Sequence, residues 1–306
     1  MNTQKLNQEG YLEEINNRNK ITRKIKQSMI SLKSKRIIKR LILYIFLVGI
    51  AIIILLPLYA GVVSAFKNGV EIIITTPIEL PHNPTLDPLF FAMESLQRPI
   101  LNSILFSTIA TVLSCLVGSV CGFVLSKLKF RGSNQIFLLL TIGIFLPYQA
   151  VIIPLFITVR DLGLYNSIWG MVFVHTIYGI PITTLLFRSY YENIPESLLN
   201  AAKTDGAGIL TIYKRLIIPL SPLPFVVAAV FQFTSIYNDY LFALFLTTTS
   251  GFTPASLTLS NMAGGVNVAW NEVMASSLLY SLPVLLIFIF LGKYLMEGLM
   301  SGAIKG

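Results

Sequence analysis

Polar side chains able to bind or guide a solute are scarce in this chain and unevenly placed. Gln232, Thr234, Ser235, Asn238 and Asp239 fall within eight consecutive positions at the end of one apolar run. Such a set can hydrogen-bond a polar solute in a wet pathway or hold neighbouring helices together, and the spacing allows either use. His175 lies in Val174-His-Thr with no other His, Cys or carboxylate near it in sequence, which reads as hydrogen-bonded packing rather than a proton relay. Gln149 follows Leu146-Pro147-Tyr148, with Ile153-Pro154 just beyond. Each proline frees a carbonyl one turn earlier, so Gln149 either bonds that carbonyl or faces a pathway. Bond-breaking chemistry has no equivalent set. The sequence holds no GxxxxGK[ST] phosphate loop, no GxSxG elbow and no HExxH pair, so it carries no ATPase, hydrolase or metal-site signature.

The elements that must position these residues are membrane helices. Of 306 residues, 54% are hydrophobic and 12% charged, and the mean hydropathy is +0.73. Charge-free runs cover 41–66, 99–126, 132–159, 162–187, 216–238 and 273–292. Each reaches the roughly 20 residues a helix needs to cross a bilayer, which predicts an all-α integral membrane protein with six spans. About forty polar residues precede the first span, so it does not read as a cleaved signal. The predicted organisation is a basic segment 1–40, a first span 41–66, an external loop 67–98, a block of five further spans over 98–292, and a tail 293–306.

Lysine and arginine set the orientation. Twenty of the 23 fall before residue 41, in 127–131, in 188–215 or after 292, leaving Lys67, Arg98 and Arg160 on the other side. The positive-inside rule therefore places both termini and the 188–215 loop in the cytoplasm. The net charge of +9 is explained by this topology rather than by nucleic-acid binding. The cluster from Arg18 to Arg40 suits anionic lipid headgroups. At about 1.5 Å per residue, Asp239 stands roughly 30 Å from Pro219, near the outer interface, where its charge needs no buried partner. Gly118 and Gly122, with Ser114 and Ser119 nearby, allow close helix approach. Cys115 and Cys121 face different directions on one helix and are expected to pack as free thiols.

One polar insertion interrupts the apolar pattern: Asn193-Ile-Pro-Glu-Ser-Leu-Leu-Asn-Ala-Ala-Lys-Thr-Asp-Gly-Ala-Gly208, followed by Tyr213-Lys-Arg-Leu-Ile-Ile-Pro219. Asn193 with Glu196 forms a possible capping box, and Pro195 suits a first turn. A short helix should run to about Lys203 and break at Asp205-Gly206, where glycine tolerates the positive φ of a tight turn. The result is a helix-turn-helix knob. Its small residues Ala201, Ala202, Ala207 and Gly208 keep one side low enough to enter another protein's groove.

This insertion resembles the coupling loop of ABC importer permeases, whose pattern runs Glu-Ala-Ala, three residues, Gly, nine residues, an aliphatic, any residue, an aliphatic, then Pro. Ala201, Ala202, Gly206, Leu216, Ile218 and Pro219 match it, and Asn200 replaces the glutamate. The Phe130-Arg-Gly132 turn, Tyr237-Asn-Asp-Tyr240 and the ending Gly298-Leu-Met-Ser-Gly-Ala-Ile-Lys-Gly306 extend the resemblance to the maltose-permease type over residues 98–306. The resemblance implies a type I ABC importer permease fold with both termini cytoplasmic, in the bacterial plasma membrane. It implies a second, non-identical permease, two ATP-binding subunits that use the ATP, an external or periplasmic solute-binding protein, and a sugar substrate, a di- or oligosaccharide. No cofactor is implied in this chain. Residues Glu196, Asn200, Ala201, Ala202, Asp205, Gly206 and Ala207 would couple to the ATPase, and Gln149, Gln232, Ser235, Asn238 and Asp239 would line the pathway. The alternatives are a non-sugar solute and an ion-coupled secondary transporter, the latter expecting inverted repeats and a midplane carboxylate.

Overall fold

The computed structural model describes residues 37–128, 130–248 and 252–303. Most of the basic amino-terminal segment and the last three residues of the tail therefore lie outside the described residues. Among the described residues every regular element is helical. Four helices are long and apolar enough to cross a membrane: α1 (Ile37–Ala65), α3 (Asp87–Lys127), α6 (Ile168–Tyr191) and α12, which is apolar over Trp270–Leu295 and continues to Ala303. A short α2 (Glu71–Ile74) separates the first two, and α11 (Ala255–Ala263) precedes α12. The other two expected spans are each a bent pair of helices, so the count is six when each pair is taken as one span.

The described residues fall into two compact units, divided between Ala60 and Gly61. In the first, α1 is exposed from residue 37 to 59 except at Gly49. A helix apolar on every side has no aqueous face, which suits lipid. In the second unit, α3, α6, α12 and α9 (Pro222–Tyr237) pack together, with α3 and α6 making the most extensive contact.

Lipid offers apolar side chains no hydrophobic gain over one another, so close backbone approach has to hold such helices together. The small-residue spacing read from α3 does this. A Cβ on Gly118 would stand 2.1 Å from Thr183 Oγ1, and one on Gly122 would stand 2.8 Å from both Phe187 Cβ and Arg188 N, all on α6. The Thr183 hydroxyl donates to Ser114 O across the same seam at 2.9 Å. Both cysteines are free, Cys115 buried and Cys121 partly buried.

Three boundaries differ from the sequence expectation. Helix α3 starts at Asp87, twelve residues ahead of the apolar run, so much of the expected 67–98 loop is helix. The remainder is folded: the buried Lys67 Nζ donates to Thr75 Oγ1 at 2.8 Å and Thr76 O at 2.7 Å. The third span is α4 (Ser133–Phe145), a 3-10 turn at Tyr148–Val151 and α5 (Ile152–Asp161), bent by 91°. Leu146 and Pro147 are both extended there, because a proline pushes the residue before it out of the helical region.

The third difference is in the fifth span. Its expected start, 216–221, lies across an 84° bend from α9, which is only 16 residues long. Pro219, Pro222 and Pro224 cannot donate, and the acceptors that Pro222 and Pro224 leave are re-paired locally. The segment Tyr213–Ile217 widens to a π turn, with Ile218 N donating to Tyr213 O at 3.0 Å. Ser221 N reaches Ile218 O, the acceptor that Pro222 would have filled. Tyr190 on α6 donates its hydroxyl to Leu220 O at 2.8 Å, the acceptor left by Pro224.

Gly118→Leu should force α3 and α6 apart and cost on the order of 1–3 kcal/mol or more. A lowered unfolding midpoint in detergent checks it, and an unchanged midpoint would contradict the close seam.

Candidate functional site

Two features of the second unit bear on function, one at each end of α6 and α9. The first is a cavity of about 510 Å³ lined by the end of α4, the 3-10 turn, α6, α9 and α10 (Leu241–Leu246). That volume is in the range of small-molecule sites. Four of the five predicted pathway residues line it: Gln232, Ser235, Asn238 and Asp239. Gln149 does not; it is exposed on the 3-10 turn and forms no side-chain hydrogen bond among the described residues.

Each lining residue is positioned by its neighbours. Gln232 is buried against α6 because residue 179 is glycine: a Cβ there would stand 2.2 Å from Gln232 Nε2. Asn238 donates to Thr234 O at 3.0 Å and accepts the Tyr280 hydroxyl at 3.0 Å. Asp239 Oδ1 accepts Phe242 N at 2.8 Å and so caps the start of α10.

Asp239 corrects the expectation of an interfacial charge without a buried partner. Its side chain is 12% exposed and its Oδ1 lies 4.0 Å from His175 Nε2. The reason is the bend at Pro219, which turns residues 216–221 off the axis that the length estimate assumed.

The sequence reading missed His175, Tyr148 and Tyr178 as lining residues. His175 is buried, and its Nε2 has no hydrogen-bond partner in the described structure, so it is not the satisfied packing residue expected. Phe106 stacks on its ring at 5.8 Å and Phe242 meets it edge-on at 5.3 Å. Phe242 also touches the rings of Tyr148 at 5.0 Å and Tyr178 at 5.1 Å. Two signals in the sequence could have found them. His175 and Tyr178 are one helical turn apart, hence on one face, and Tyr148 directly follows the Leu146-Pro147 break.

The second feature is the polar insertion. It folds as α7 (Glu196–Thr204), a turn, and α8 (Ile209–Ile212) leading into the π turn. Gly206 has φ of +82°. Gly206 N donates to Lys203 O at 3.0 Å and Ala207 N to Ala202 O at 2.9 Å. This is the Schellman arrangement, in which a left-handed residue lets the last helical carbonyls be paired. The cap position of α7 is Pro195, while the Asn193 amide donates back to Ser189 O at 2.8 Å.

The inner face of this knob is rooted in the core. Leu199, Ile212, Tyr213 and Ile217 are buried together with Phe123 and Phe187. Ser119 Oγ, fully buried on α3, lies 2.6 Å from the Tyr191 hydroxyl and 2.9 Å from that of Tyr213. Lys127 Nζ at the end of α3 donates to Ile194 O at 2.7 Å. The outer face is open: Glu196, Asn200, Ala201, Asp205 and Gly206 are exposed, as are Leu198, Ile209 and Leu210. The four small residues do not share that face, since Ala202 and Ala207 are half-buried against the core.

Residues 114–299 match the family described as binding-protein-dependent transport system inner membrane component. The chain belongs to that family. This permease is 48% identical to a probable ABC transporter permease of Pyrococcus horikoshii, over 87% of this chain and 98% of the relative. It is 34% identical to a xylose/arabinose import permease of Haloferax volcanii, over 81% and 88% of the two chains. Its fold matches a chain from the crystal structure of a bacterial ABC transporter involved in import of the acidic polysaccharide alginate, with a TM-score of 0.73 and 22% identity over 83% and 95% of the two. The permease thus has the type I ABC importer fold and is a multi-pass inner-membrane component, not an enzyme. In this family the ATPase is a separate subunit, and the family implies a permease partner and a binding protein.

Ser119→Ala should leave the Tyr191 and Tyr213 hydroxyls without their shared partner, at a cost of about 1–3 kcal/mol. Thermal unfolding in detergent checks it against Ser126→Ala, whose hydroxyl bonds only within its own helix to Phe123 O. The first variant should fall clearly further.

Proposed function

We propose that this chain is the sugar-translocating permease of its importer, a subunit that takes the strokes of an ATPase through residues 194–208. Both termini and the knob lie on the cytoplasmic side, following the lysine and arginine distribution. The chain pairs with a second, non-identical permease, two ATP-binding subunits sit under the pair, and an external binding protein delivers the solute. ATP is bound and hydrolysed by those partners alone.

The observation that carries this reading is the two-faced knob. A Schellman-closed helix-turn-helix has its outer face exposed and its inner face buried among side chains of α3 and α6. Helix α6 then runs from Tyr191 beside the knob to His175 in the cavity, about 24 Å along its axis at 1.5 Å per residue. A push on the knob is therefore delivered to one continuous helix that reaches the cavity. The likeness to a xylose/arabinose import permease supports a sugar as the cargo.

Gly206→Pro tests the lever. Proline fixes φ near −65° and has no N–H, so it excludes both the +82° φ at this position and the bond to Lys203 O. The variant should reach the membrane at normal abundance and lose sugar uptake. Normal uptake by inserted protein would overturn the coupling role of the knob.

A further inference from the structure

Within the cavity, His175 and Asp239 leave a gap that neither fills. The Nε2 to Oδ1 separation is 4.0 Å, too long for a direct hydrogen bond, and Nε2 has no other partner in the described structure. Both side chains are largely buried, 6% and 12% exposed, and both line the cavity. An unpartnered polar atom in that position costs free energy unless something enters to pair it. A single hydroxyl oxygen can do so: two hydrogen bonds of about 2.8 Å meeting at one oxygen span 4.0 Å at an angle near 90°. A hydroxyl both donates and accepts, so it can serve a carboxyl group and an imidazole together.

The surroundings suit a molecule with many such hydroxyls. Ser235 and Asn238 present further polar groups, while Tyr148, Tyr178 and Phe242 supply ring surface on the same cavity. Apolar ring faces beside converging hydrogen-bond groups match the two kinds of surface a sugar ring presents. No lysine or arginine lines the cavity among the described residues. A sugar acid would therefore bring a carboxylate into a site whose acidic group is Asp239 and find no fixed positive charge to pair with.

We infer that this subunit contacts the cargo itself, through a subsite in which His175 Nε2 and Asp239 bridge one hydroxyl of a neutral sugar. The inference rests on the sugar-import reading given above. His175 and Asp239 are then specificity residues of the pathway rather than packing, and Asp239 keeps its second task of capping α10.

The test uses the whole transporter in proteoliposomes, with its partner permease, ATPase subunits and binding protein. Labelled xylose, glucose, maltose and glucuronate are supplied, and uptake is read beside ATP hydrolysis stimulated by the loaded binding protein. The unaltered transporter should import one or more of the neutral sugars in preference to glucuronate. His175→Phe, which keeps a ring but removes both nitrogens, should lower sugar taken up per ATP hydrolysed tenfold or more. His175→Gln, which restores a polar group, should recover a substantial part. Wild-type uptake per ATP in His175→Phe would overturn the subsite while leaving the import function standing, as would preferred uptake of glucuronate. Uptake and hydrolysis falling together in both variants would assign His175 to folding and likewise overturn it. Failure of the unaltered transporter to import any of the four sugars, with ATP hydrolysis unresponsive to them, would overturn the sugar reading and the subsite with it.

Discussion

Backbone hydrogen bonding in a medium without water is the constraint on which this structure depends. Fifteen prolines are spread through a chain that is mostly helix, and each one inside a span removes a donor that lipid cannot replace. At the 219–224 bend the replacements are specific. Ser221 N takes the Ile218 O that Pro222 leaves, and the Tyr190 hydroxyl crosses from α6 to reach the Leu220 O that Pro224 leaves. The last of these makes the bend a shared property of two helices. A break in one chain segment is held in shape by the neighbour it packs on.

The same economy appears along α6. Its glycine-facing side meets Gly118 and Gly122 of α3, its own Gly179 admits Gln232 of α9, and its last turn supplies Tyr191 to the buried hydroxyl network with Ser119 and Tyr213. Arg188 adds a polar tie, pairing with Glu192 at 3.0 Å, bonding Asn134 at 3.1 Å and lying 3.7 Å over the Phe137 ring of α4. One helix thus touches the cavity, the seam and the base of the knob.

How much of this was legible in the sequence varied with the range of the interaction. The glycine spacing on α3, the break at Asp205-Gly206 and the apolar lengths of the first, fourth and sixth spans are local signals, and the corresponding elements fold as those signals say. The concentration of Gln232, Ser235, Asn238 and Asp239 was visible because they sit on one helix and its end. The 91° break at Leu146-Pro147 was only half visible: prolines mark a weak point but do not give an angle. His175 and Asp239 are 64 positions apart, and their approach follows from how α6 packs on α9, which no local pattern encodes. Gln149 failed for the complementary reason. Its amide was expected either to bond a carbonyl freed by a proline or to face a pathway, yet the chain leaves the helix at that point and the residue is exposed.

Asn200 stands on the knob where the coupling-loop pattern has a glutamate. It lies on the rim of a groove of about 390 Å³ that also holds Lys127, Glu196 and Lys203. An acidic side chain there could pair with a basic group on a partner, whereas an amide offers only neutral hydrogen bonds, which are weaker. The outer face does not depend on that one group. Leu198, Ile209 and Leu210 are 44%, 54% and 64% exposed on the same knob, and a partner's groove that covered them would gain from their burial whatever stands at position 200. In the proposed assembly, shape and apolar contact hold the knob in its groove, and the polar residues around it set which groove it enters.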